Sequence, residues 1–192
     1  MLNANIGTLV FALLLLSSRA LPAQDMPEPQ GKTFRFSVEI LRGYHNLQRD
    51  LADAAEKMPD EHYGFKPTPE IRPFGQLIAH VALAQFRTCA MVKGEPNPRK
   101  DDKEDASRTK ADEIALLKES TAYCDPVVDT INDATMTDLT KVDQMQVAKG
   151  LIPVELVAHG TEMYGTMAVY LRLKGIVPPT TERQMRQMTK GK

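Results

Sequence analysis

Residues 153–179, PVELVAHGTEMYGTMAVYLRLKGIVPP, carry the clearest helix signals of the 192-residue chain. Pro153 suits the first turn of a helix, where its missing N–H would be unpaired anyway, and Glu155 puts negative charge at the positive end of the helix dipole. At the other end Arg172 and Lys174 favour the last turn, Gly175 can take a left-handed cap, Ile176 can reach back to Leu171, and Pro178-Pro179 stop the helix. Leu156, His159 or Gly160, Met163, Met167, Tyr170 and Lys174 recur at spacings of three and four. His159 therefore shares a face with apolar neighbours. A histidine so placed is either a hydrogen-bonded core residue or a metal ligand aimed into a helix bundle.

Working outward, the same periodicity marks three more helices. Val38, Leu41, Tyr44, Leu47, Leu51, Ala54 and Met58 define a helix over 33–58, closed by Pro59. Its His45 is offset from the apolar stripe and half exposed. Pro73 opens a second helix in which Phe74, Leu77, Ile78, Val81, Phe86, Cys89 and Val92 form a broad buried face up to Gly94, with His80 at its edge. Between them, 59–72 has three prolines, and Tyr63 and Phe65 are expected to fold over one end of the bundle. A third helix is expected over 109–133, with Pro126 removing a backbone bond near its middle. Residues 134–150 read as a turn of helix or a packed loop, and 180–192 as a frayed polar tail. The segment 93–108, KGEPNPRKDDKEDASR, has no apolar period and reads as a solvated crossover, long enough at about 3.3 Å per residue to run the length of a helix.

Composition allows one domain with a full core: 42% of residues are hydrophobic and 6% aromatic. A formal charge of −1 gives no reason to expect nucleic acid as a partner. Phosphate-binding loop, CxxC, HExxH and nucleophile-elbow motifs are absent from the sequence. The first 23 residues, with an apolar run from Leu9 to Leu16 and small residues up to Ala23, read as a signal peptide cleaved near Ala23, followed by a flexible leader over 24–32. That run is too short for a stable membrane anchor. The mature protein is therefore expected outside the cytoplasm, periplasmic or extracellular.

LVAHGTEMYGTMAVYLRLKGIVPP, together with RPFGQLIAHVALAQF at 72–86, resembles the DinB-like superfamily, and the resemblance covers most of residues 33–179. It implies an all-α, four-helix bundle in up-down-down-up order, with a long crossover between helices 2 and 3. It also implies a divalent metal, Zn or Ni, held by one histidine of the second helix and an HxxxH pair on the fourth. Those positions are His80, His159 and Met163, so the third histidine is missing, with Met163, Glu162 or water left to complete the shell. Some relatives are thiol-dependent transferases or isomerases. The implied function is thus an exported protein of unassigned substrate, possessing a degenerate metal site and thiol-transferase or hydrolase-like chemistry. The alternative is a metal-free bundle that binds a small molecule or a partner helix around Met163, Tyr164 and Met167. Exposed helix faces leave room for a homodimer. If helices 2 and 3 are parallel, Cys89 and Cys124 sit at similar depth, either bridged in an oxidising compartment or as two buried thiols.

Overall fold

The computed structural model describes residues 35–142 and 144–190. The expected signal peptide and leader lie outside them. Helices α1 (Phe36–Lys57), α2 (Phe74–Lys93), α3 (Lys110–Val128) and α4 (Leu151–Leu173) form the bundle. They are joined by strands β1 (Leu139–Val142) and β2 (Met145–Ala148) and followed by α5 (Pro179–Lys190). No helix among the described residues is long and apolar enough to cross a membrane.

The helix ends follow local chemistry. Thr109 caps α3 through a reciprocal box with Asp112. Gly94 and Gly175 end α2 and α4 with φ of 68° and 72°, conformations costly for any residue with a Cβ. As the sequence suggests, Ile176 N–H returns to the Leu171 carbonyl at 2.9 Å.

α2 packs chiefly on α3, and α1 on α4. Along the α2–α3 seam the contacts climb together. Gly75 lies beside Glu113, Gln85 accepts from Ser120, and Cys89 is disulfide-bonded to Cys124 across a Cα–Cα distance of 5.5 Å. The 94–109 crossover thus returns the chain between two helices that run the same way. At Gly160 a Cβ would stand 2.6 Å from Leu47 Cδ2, so glycine is what lets α4 approach α1 this closely. Inside the bundle, Gln85 donates to Gln48 at 2.9 Å, Thr121 donates to the same Gln48 oxygen at 3.0 Å, and Ser120 donates to Gln85 at 2.9 Å. Tyr63 is buried and donates to the Ala55 carbonyl at 2.6 Å, closing one end of the bundle.

Three expectations are corrected. The third helix ends at Val128, not Asp133, two residues beyond Pro126. Residues 134–150 contain an antiparallel hairpin in which Leu139 pairs with Ala148 and Val142 with Met145. The tail is not frayed over its described part: α5 is held on α1 by ion pairs from Arg183 to Asp50 and Asp53 and from Lys57 to Glu182. Thr180 also exchanges hydrogen bonds with the Tyr164 hydroxyl.

Candidate functional site

The two interior histidines meet. His80, seven residues into α2, and His159 of α4 face each other with Nε2 atoms 3.0 Å apart and ring centroids 5.0 Å apart. Both are half-buried, the His80 side chain being 21% exposed. His80 Nδ1 lies 2.6 Å from Glu104 Oε1, and the other Glu104 oxygen accepts from Arg72 Nε at 2.9 Å. The Arg72 carbonyl in turn accepts from the Tyr170 hydroxyl at 2.7 Å. A continuous chain of bonds therefore runs Tyr170–Arg72–Glu104–His80–His159, tying α4 through the loop before α2 and the crossover back to α4.

The carboxylate fixes the protons. With Nδ1–H of His80 donating to Glu104, His80 Nε2 is left as an acceptor and His159 donates from its own Nε2, leaving its Nδ1 lone pair free. Burial, followed by the neighbouring His80, lowers the His159 pKa below its ordinary 6.5, against the upward pull of Glu162 and Glu155. The ring is thus neutral at neutral pH. Burial pushes the Glu104 carboxyl up, but the hydrogen bonds from His80 and Arg72 outweigh it and hold the carboxyl below its ordinary range. A cleft of about 200 Å³ opens beside His80, with Leu83 and Ala84 on one wall and Asn97, Lys100 and Glu104 of the crossover on the other, and Arg87 alongside. A larger cleft of about 600 Å³ lies between the end of α1 and the start of α3. There Lys110 caps the α1 carbonyls of Glu56 and Met58 and Lys118 pairs with Glu56, so its charged groups serve the fold.

Met163 follows His159 by one turn of α4 and is packed, half-buried, against the apolar core. Glu162 is exposed. His45 is far from the pair in its bonding: its Nε2 meets Asp129 at 3.0 Å on the surface. The donors that meet are therefore two imidazoles, and the position one turn beyond His159 carries a thioether packed on the core, a poor third ligand for a borderline divalent ion. Among the described residues no three His, Cys, Asp or Glu side chains gather where they could hold a metal. These residues do not fit a resident three-ligand metal. Glu104 escapes sequence reading because it is one of four acids in the stretch 101–105, which has no periodicity to single it out.

A family model described as the DinB superfamily matches residues 44–150, more than half of the chain. The chain belongs to the DinB superfamily. The fold agrees with solved DinB-like proteins. One from Bacillus cereus superposes with a TM-score of 0.62 at 14% identity, covering 76% of this chain and 96% of that one. Another from Bacillus subtilis gives 0.56 at 18% identity, covering 71% and 92%. A conserved protein from Enterococcus faecalis gives 0.56 at 13% identity, covering 73% and 98%. No curated protein sequence matches this DinB-superfamily chain.

Proposed function

We propose that this chain is an exported DinB-superfamily protein that binds a small polar molecule in the cleft beside His80 and exchanges a proton with it through Glu104, His80 and His159, without a resident divalent metal. The observation that carries the reading is the pair of short contacts at His80, 2.6 Å to Glu104 and 3.0 Å to His159. A carboxylate behind one imidazole fixes its tautomer and stabilises the imidazolium that forms on proton uptake. His159, held neutral by burial, can accept a proton at its free nitrogen and pass one from Nε2 toward His80. Nitrogen-15 NMR of the histidine rings tests this. The natural protein is expected to show one fixed tautomer at His80, and Glu104→Gln to show a mixture at both rings. A mixed tautomer in the natural protein would overturn the relay.

A second reading, Zn²⁺ or Ni²⁺ on His80 and His159, is favoured by the convergence of the two Nε2 atoms with a carboxylate on the outer nitrogen, the way ligating imidazoles are commonly oriented. Titration calorimetry separates the two. Weak or absent binding by the natural protein, with a gain of about 100-fold or more in Met163→His, supports the metal-free reading. Tight binding by the natural protein establishes the metal. Export is supported by the apolar run Leu9–Leu16 and is compatible with the Cys89–Cys124 bridge. Mass spectrometry of protein from its own host should find a mature N-terminus near Gln24, and an intact cytoplasmic form would remove the claim.

A further inference from the structure

We infer that the end of the bundle remote from His80 holds a second binding site, for a small organic anion with an apolar body. It lies at Lys93, about 13 residues and thus about 20 Å further along α2 at about 1.5 Å per residue. The site stands on its own geometry and does not depend on the histidine relay. A cavity of about 360 Å³, within the range usual for small-molecule sites, opens between the ends of α2 and α3, the hairpin and the start of α4. Its floor is Val92, Val127, Ile131 and Ile152, and its rim carries Lys93, Lys149 and Thr140.

Charge decides the ligand class. No acidic side chain lines the cavity, whereas two lysines do. Lys149 is partnered by Asp138 at 3.2 Å. Lys93 makes no ion pair among the described residues; its ammonium rests 3.6 Å from the centroid of the Tyr123 ring, whose hydroxyl donates to Glu95 at 3.3 Å just outside the cavity lining. A half-buried cation held on an aromatic face beside an aliphatic floor can gain a charge-assisted hydrogen bond without first breaking an ion pair. The Thr140 hydroxyl makes no hydrogen bond to a described protein group and offers a second donor to the same anion.

The floor is also braced. The Cys89–Cys124 bridge lies one turn below Val92 and Val127, which pack on the cluster containing both sulfurs and Ile152. Fixing α2 to α3 there presets the cavity walls and lowers the cost of ordering them around a ligand.

The test is an amide NMR titration of the mature, disulfide-bonded protein with octanoate, octanol and octylamine. Octanoate should give saturable shifts at Val92, Thr140 and Ile152, with octanol and octylamine weaker by about tenfold or more. Lys93→Met, which keeps the apolar stem and removes the charge, should reduce octanoate to the level of octanol. Equal binding of the three probes, non-saturating shifts spread over the surface, or unchanged octanoate binding in Lys93→Met would each overturn the proposal. If Lys93→Met does not fold, the three probes on the natural protein still decide it.

Discussion

Replacing Glu113 with Gln should flatten the pH dependence of stability between about pH 5 and 8. Glu113 lies in the first turns of α3 and is only 3% exposed. Its Oε1 is 3.7 Å from Arg108 Nη1, beyond a hydrogen bond, while Oε2 and Arg108 Nη1 are buried without a partner. Burial raises its pKa from 4.5 to about 7, against the opposing pull of Arg108 and with a small push from Asp112. A carboxyl raised in the fold contributes stability that is complete below about pH 4.5 and is lost as pH climbs through about 7. Raising the pKa from 4.5 to about 7, at about 1.4 kcal/mol for each tenfold change in proton affinity, sets a ceiling of about 3 to 4 kcal/mol. Urea unfolding at a series of pH values should show Glu113→Gln matching the natural protein near pH 5 and exceeding it by about 2 kcal/mol near pH 8. His159, depressed in the fold, titrates in the opposite sense: its contribution is present above 6.5 and is lost as pH falls through its lowered pKa. That term is common to both proteins and cancels in their difference. A constant difference across the range would refute the assignment of the slope to Glu113.

Gly160→Ala would set a methyl 2.6 Å from Leu47 Cδ2, so the buried Leu47 side chain would have to leave its present packing. Overpacking of about 1–3 kcal/mol against a helix-propensity gain of about 1 kcal/mol gives a net loss of about 1 kcal/mol, and a higher melting temperature would contradict the close approach. Replacing both Cys89 and Cys124 by serine should cost about 4 kcal/mol, since the bridge closes a separation of 35 residues. Two alkylatable thiols in denatured, unreduced protein would show that no bridge forms.

Where one side of a helix faces the core and the other faces water, the sequence is readable: the apolar faces of α2 and α4 run at helical spacing and place His80 and His159 on or beside buried surface. α5 escapes that reading because it docks through charge, Arg183 and Glu182 reaching Asp50, Asp53 and Lys57, and ion pairs across 125 or more residues leave no local period. The hairpin escapes because each strand is four residues long and Leu139 and Met145 stay exposed, so alternation never accumulates. Glu104 is positioned by Arg72 and by the path of the crossover, both properties of the folded chain.

The amide and hydroxyl bonds among Gln48, Gln85, Ser120 and Thr121 bear on what keeps these helices in one alignment. Leucine, alanine and methionine faces fit one another in many rotational settings, and a core of these alone could slip by a turn at small cost. Polar groups in the interior favour the setting in which their partners meet: among these side chains only the Gln48 Nε2 is left without one, and a slipped alternative would strand the Gln85, Ser120 and Thr121 groups as well. Three helices keyed in this way leave the aliphatic positions to supply bulk while the polar ones supply alignment, and with it the meeting of two histidines from helices that are distant in the chain.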